Sequence, residues 1–153
     1  MDPSGTRPDR ILELESYWPY QITVLADRIA RRTSRIVKNH GLNLSQWRVL
    51  AAIAEQPGRT SVDVVTVTPM DKGIVSRATK ALLTMGLIHR TASQRDGRIS
   101  HLFLTDSGTE LYRTLIPEVE AIVLRAHTGL STGKQAQLCE HLSDLLSVIP
   151  DLR

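Results

Sequence analysis

SQRDGRISHLFLT, residues 93–105, reads as the tip and returning strand of a β-hairpin. Asp96-Gly97 is a turn signal, and the alternating run that follows suits a strand. LIHRTA, residues 87–92, supplies the outgoing strand. Gly97 permits the positive φ of a tight turn. Arg95 and Arg98 flank it. A tip made mostly of arginine adds little to a core, so it is expected to reach outward, with Asp96 accepting from an arginine to hold its shape.

Immediately before the hairpin, MDKGIVSRATKALLTMG, residues 70–86, has helical spacing. Asp71 is the expected N-cap and Gly86 the stop. Ile74, Ala78, Ala81, Leu82 and Met85 are expected on the buried face. Lys72, Gly73, Ser76, Arg77 and Lys80 fall on the other. TSVDVVTVTPM, residues 60–70, is β-branched enough to suggest a strand. Its place before a second helix favours a short helix capped by Ser61 and ended by Pro69. NLSQWRVLAAIAEQPGR, residues 43–59, reads as a helix capped by Asn43 or Ser45 and ended at Pro57-Gly58.

The chain ends are helical as well. Ile22, Leu25, Ile29 and Ile36 share one face of a helix expected over residues 11–40, which Pro19 starts or kinks and Gly41 stops. Arg28, Arg31, Arg32, Arg35 and Lys38 fill much of its other surface. Thr105 or Asp106 caps a helix carrying Leu111, Leu115, Val119 and Ile122, with Pro117 expected to kink or break it. Ser131 starts the last helix, whose Leu138, Leu142, Leu145 and Ile149 form a narrow seam suited to helix–helix contact. Cys139 lies beside that seam and is expected to be a buried hydrophobe. The fold class is therefore mainly α with a small β-hairpin. The expected division is a flexible arm over 1–10, a helical dimerisation region over 11–42 and 105–153, and a DNA-binding unit over 43–104.

Charge separates along the chain. Residues 58–104 hold seven Lys or Arg and three Asp, a balance of +4 against +3 for the whole chain. The basic excess is thus concentrated in the helix–helix–hairpin segment, as on a nucleic-acid footprint. Two helices joined by a tight turn form a helix-turn-helix, whose second helix can enter the major groove of double-stranded DNA. Lys72, Arg77 and Lys80 can donate to guanine acceptors or to phosphates, and Ser76 can reach either. Gly73 lets the backbone approach. Arg98 could enter the minor groove, with Arg95 on the backbone beside it.

The order of elements resembles the MarR family of bacterial transcription regulators over nearly the whole chain. MDKGIVSRATKALLTMGLIHR is similar to that family's recognition helix and first wing strand. RDGRISHLFLTDSG is similar to its wing signature through Asp96, Arg98, Leu104, Thr105 and Gly108, and LSQWRVLAAI resembles its second helix. VDVVTVTPM departs from the family in its Val/Thr content. The resemblance implies a winged helix-turn-helix homodimer on a pseudo-palindromic operator, acting as a repressor released by a small ligand or by oxidation. It also implies a small aromatic effector near Tyr20, His40, Trp47 and Arg48. The plainer reading of those residues, which carries more weight, is core packing for Tyr20 and Trp47 and an ion pair for Arg48.

Other classes are less well served. The chain has no phosphate-binding glycine loop, no His-Glu-x-x-His and no nucleophile constellation, so an enzyme is not expected. The histidines at 40, 89, 101, 127 and 141 show no compact metal-ligand spacing, although pairing of the two strands can bring His89 and His101 face to face across the hairpin. A single cysteine gives no disulfide framework and no thiolate metal cluster, so a reducing cytoplasm is the expected compartment; no cofactor or metal is expected. No apolar run has membrane-spanning length, and MDPSGTRPDR lacks an apolar signal core. The alternatives are an oxidant- or metal-responsive regulator of the same fold and a winged-helix module for protein contacts without DNA. An apolar recognition face would mark the last, and Lys72, Ser76, Arg77 and Lys80 argue against it.

Overall fold

A computed structural model describes residues 10–94, 96, 98–124 and 129–151. Six helices and one hairpin follow in the order α1 (Trp18–Asn39), α2 (Leu44–Glu55), α3 (Ser61–Val67), α4 (Lys72–Thr84), β1 (Ile88–Ala92), β2 (Ser100–Leu104), α5 (Asp106–Leu124) and α6 (Thr132–Val148). The expected arm over 1–10 lies almost wholly outside the described residues.

The first helix begins at Trp18, not at Ile11. Pro19 sits in its first turn, where a missing N–H costs nothing. Extending the helix back past it would set the proline ring against the carbonyl four residues earlier. Residues 14–16 form a turn instead, closed where Tyr17 N–H donates to Glu13 O at 3.0 Å.

Asn43 caps α2, and a reciprocal bond from its own N–H to Gln46 Oε1 at 2.8 Å completes a capping box. The same device opens α3, but Thr60 rather than Ser61 is the cap, because Asp63 stands three residues after it. Thr60 N–H donates to Asp63 Oδ2 at 2.7 Å, and Asp63 N–H to Thr60 Oγ1 at 3.2 Å. This box is what makes a helix of a Val/Thr-rich segment that its side chains alone would draw toward a strand.

Asp71 caps α4 by accepting from Ile74 N–H at 2.7 Å. Its buried face is Val75, Ala78, Thr79 and Leu82. The expected face was rotated: Ile74 and Ala81 are only half-buried, and Met85 is exposed just past the last turn. Val75 and Leu82 join Leu50, Ile53, Val64, Leu102 and Leu115 in one core that clamps α2, α3, α4, α5 and the hairpin together.

The two strands pair antiparallel with Ile88 opposite Leu104 and Arg90 opposite Leu102. The chain at the end of α2 adds a third edge. Gly58 N–H donates to Leu102 O at 2.8 Å, and Leu102 N–H to Arg59 O at 3.0 Å. His89 faces Phe103, with ring centroids 5.5 Å apart, and not His101. His101 instead uses Nδ1 to bond Gly58 O at 2.7 Å. The registers of the two histidines are offset by two residues, so they do not meet as a pair.

A tight junction fixes the hairpin to α5. Thr105 N–H donates to Leu87 O at 3.1 Å, and Thr105 Oγ1 donates to Gly86 O at 2.7 Å while accepting from Gly108 N–H at 3.1 Å. The helix passes through Pro117 without a break. Proline removes one donor to Arg113 O, and the packing of Leu115 and Val119 against the core holds the helix across the gap.

The sixth helix is different. Ser131 caps it, yet none of its residues is buried, and Leu138, Leu142, Leu146 and Ile149 are exposed. Cys139 is exposed too. It lies beside an apolar seam, as expected, but it is not the buried hydrophobe expected there, because none of the described residues closes over that part of the helix. Among the described residues no helix is long and apolar enough to cross a membrane.

Candidate nucleic-acid interface

The surface begins with the cap of α4. Bonding Asp71 to Ile74 N–H aims the first turn outward and turns that carboxylate onto its own backbone. Lys72, Gly73, Ser76, Arg77 and Lys80 are all exposed on the resulting face. Gly73 lies close under it. A Cβ there would stand 3.3 Å from Asp71 Oδ1 and 3.4 Å from Arg77 Nη1. The space that glycine leaves open lets the Arg77 guanidinium lie across the start of the helix.

Arg90 joins the same surface from β1. It alternates with Ile88 onto the inner side of the strand, opposite Leu102, yet its side chain reaches a cavity of about 300 Å3 shared with Ser76, Lys80, Ser61 and Ser100. Thr79 also lines this cavity, and its buried hydroxyl has no hydrogen-bond partner among the described residues. In the sequence, Arg90 is only weakly marked as a residue of this surface. A lone cation alternating with core residues on a strand was the available signal.

At the hairpin tip, Arg98 is exposed. Its backbone N–H donates to Asp96 Oδ1 at 3.0 Å, and Ile99 N–H donates to Asp96 O at 2.9 Å. Asp96 thus meets the main chain of an arginine. Arg95 and Gly97 lie outside the described residues.

All three acids of this segment are locally engaged. Asp63 and Asp71 hold helix starts, and Asp96 holds the tip. The carboxyl of Asp63 is held below its ordinary value, first by the Thr60 N–H, then by the Thr60 hydroxyl, with Arg59 and His101 assisting against a small burial effect. One cation is likewise structural. Arg59 is nearly buried, with Nη1 donating to Ala52 O at 2.7 Å and to Glu55 Oε2 at 2.6 Å. The outward face is therefore more one-sided than the composition of the segment: its acids serve the fold, and Lys72, Arg77, Lys80, Arg90 and Arg98 remain exposed.

The four residues considered for an effector do not meet in any cavity described for the chain. Tyr20 is exposed on α1. Trp47 is buried and stacks on Tyr112, centroids 5.7 Å apart. Arg48 is half-buried on α2. His40 caps the end of α1, with Nε2 3.0 Å from Glu118 Oε1 on α5. Two larger spaces exist elsewhere. One, about 720 Å3, lies between α1 and α5; the other, about 530 Å3 and almost wholly apolar, lies between the start of α1 and the end of α6. Among the described residues no three His, Cys, Asp or Glu side chains converge as metal ligands.

The MarR family model matches residues 40–99, which span the cationic face described above. The chain is 30% identical over 92 residues to the HTH-type transcriptional regulator PetP of Rhodobacter capsulatus, covering 60% of this chain and only 55% of PetP. It is 26% identical over 117 residues to the homoprotocatechuate degradative operon repressor of Escherichia coli, covering 74% of this chain and 76% of that one. Among solved structures, a MarR family regulator from Listeria monocytogenes complexed with a 26mer DNA superposes with a TM-score of 0.79 at 26% identity, over 83% of this chain and 85% of the other. The six helices and hairpin match that winged-helix architecture, and the matching family model, the relatives and the fold are all those of MarR-type winged helix-turn-helix transcriptional regulators.

Proposed function

We propose that the protein is a repressor that binds a pseudo-palindromic operator as a homodimer and is released by a small anionic, aromatic ligand. The observation that carries the DNA contact is the one-sided face of α4 and the hairpin, whose carboxylates are folded into caps while five cations stay outward. Lys72, Gly73, Ser76, Arg77 and Lys80 meet the major groove; Arg98, with Arg95 beside it, meets the minor groove; Asp96 and Gly97 shape the tip. A relative that represses an operon for degrading an aromatic carboxylate supports both the sign of regulation and the ligand class. The dimer contact falls to residues 11–42 and 105–153, where apolar side chains at both chain ends stand in solvent.

The test is a selection of bound fragments from the genome of the source organism, followed by anisotropy titrations of the winning sequence at several salt concentrations. The expected result is one enriched inverted repeat whose affinity falls steeply with salt, because each neutralised phosphate releases counterions. Arg98→Ala should weaken that binding by about 1–3 kcal/mol with an unchanged melting curve. An enriched pool without a repeat, bound no better than random DNA, would sink the operator reading.

A further inference from the structure

We propose that Gly73 is a positioning residue for base reading: its missing side chain is the berth that aims the Arg77 guanidinium at a guanine edge. The inference rests on the reading above that places Arg77 in the major groove. It goes beyond that reading by giving Gly73 a task within the protein rather than against the DNA backbone.

A glycine at this place needs a reason. Gly73 is the second residue of α4, and inside a helix glycine is less favourable than alanine. No left-handed conformation calls for it, since the glycines of positive φ are Gly41, Gly58 and Gly86. No neighbouring element crowds it, unlike Gly108, whose Cβ would strike the Leu87 carbonyl. Nor does it face open space, as Gly133 of α6 does. A Cβ on Gly73 would meet two side-chain tips, Asp71 Oδ1 at 3.3 Å and Arg77 Nη1 at 3.4 Å.

Those two neighbours are not equally free. Asp71 Oδ1 is pinned by the cap, accepting from Ile74 N–H at 2.7 Å. Arg77 stands one turn further on, and helical side chains lean back toward the N-terminus, which carries its guanidinium over position 73. An added methyl group would therefore shift the arginine, the looser of the two. In its berth the guanidinium lies near the Asp71 carboxylate, which offsets the positive pole of the helix start. Among the described residues Arg77 makes no ion pair, so its donors stay available. A guanidinium held in place with its fork free suits the paired acceptors O6 and N7 of guanine. Such a bidentate contact weakens steeply when misaligned, so the placement of the fork decides how well guanine is told from other bases.

The test is a double-mutant cycle on the full-length protein, read by selection from a randomised duplex DNA library and by anisotropy titration of the parent's winning duplex. Gly73→Ala should lower affinity for that duplex about three- to tenfold, the scale of one side chain's lost pre-organisation. Its selected pool should lose guanine preference at the same position as the Arg77→Ala pool. In the Arg77→Ala background, Gly73→Ala should change affinity by less than about twofold. The melting temperature of Gly73→Ala should equal or exceed the parent's, because alanine suits a helix better. A lowered melting temperature would make the glycine structural and overturn the berth. A Gly73→Ala loss that persists without Arg77 also overturns it, and returns the glycine to close approach of the DNA backbone. A Gly73→Ala pool like the parent's, beside a broadened Arg77→Ala pool, overturns the berth but leaves Arg77 reading bases. An Arg77→Ala pool with its guanine preference intact removes Arg77 from base reading, and the berth falls with that premise.

Discussion

Gly108 shows how much a single position can carry. A Cβ on it would sit 1.9 Å from the carbonyl oxygen of Leu87, a distance no flexible side chain can relieve because the obstacle is backbone. The close approach lets Thr105 bind Gly86 and Leu87 at once, so it fixes where the hairpin leaves α4. Gly108→Ala is expected to destabilise the fold by about 1–3 kcal/mol, the usual range for forced overpacking, as measured by urea unfolding. A variant as stable as the parent would mean that the junction yields freely. Asp63 makes a pH-dependent case. Its carboxyl is held below the ordinary value by Thr60, so the folded state favours the ionised form. That contribution is fully present above the unfolded value near pH 4 and is lost as pH falls through the lower folded one. Asp63→Ala should therefore cost about 0.5–1 kcal/mol at pH 7, with the gap to the parent closing below about pH 4. Paired melts from pH 7 to pH 3 check the sign, and a gap that widens in acid would contradict it.

At the scale of the element, α4 makes its prediction by position. Lys80 and Arg90 flank one cavity, while Arg77 lies across the first turn over Gly73. Replacing Lys80 with alanine should lower affinity about equally for all sequences and reduce the salt slope by about one, as for a phosphate contact. Arg77→Ala should instead relax sequence preference, visible as a broader pool in the same fragment selection. A uniform loss would move Arg77 to the backbone. The elements also mark what the sequence could and could not reveal. Caps with their partner three residues on, Asn43 with Gln46 and Asp71 before Ile74, are local chemistry and were legible, as was the paired hairpin. The buried face of α4 was not, because Ile74 and Met85 look as apolar as Val75 and only the tertiary neighbours decide which side is covered. Thr60 and Ser61 both offer a hydroxyl suited to a cap, and Asp63, three residues after Thr60, discriminates between them. The crevice between α1 and α5, lined by Arg32 and Arg35, was invisible for another reason. It joins residues more than eighty apart, and a row of arginines on α1 looks like any solvated face.

For the whole molecule, the question is what covers the ends. Tyr17, Trp18 and Ile22 of one end line an apolar groove with Leu142, Leu146 and Ile149 of the other, and Leu146 is 79% exposed. So much contiguous apolar surface is unusual on a monomer, and burying each large aliphatic side chain is worth about 1.5–3 kcal/mol. A second copy supplies the same surface in a self-complementary contact, and a two-fold dimer would then present two copies of α4 to an inverted repeat. Leu142→Glu/Leu146→Glu changes this groove without touching the core, in which α6 has no buried residue. Sedimentation should show the parent as a dimer and the variant as a monomer at micromolar concentration, with the helix–turn–helix and hairpin still folded. Melting of the parent should rise with protein concentration, because association stabilises only the folded state, whereas melting of the variant should not. Operator binding by the variant should fall toward that of one half-site, since two linked contacts gain from effective concentration and one does not. A dimeric variant that binds normally would place the contact elsewhere and leave the groove open for a different occupant. A monomeric parent would remove the symmetry argument, and with it the expectation that the operator is an inverted repeat.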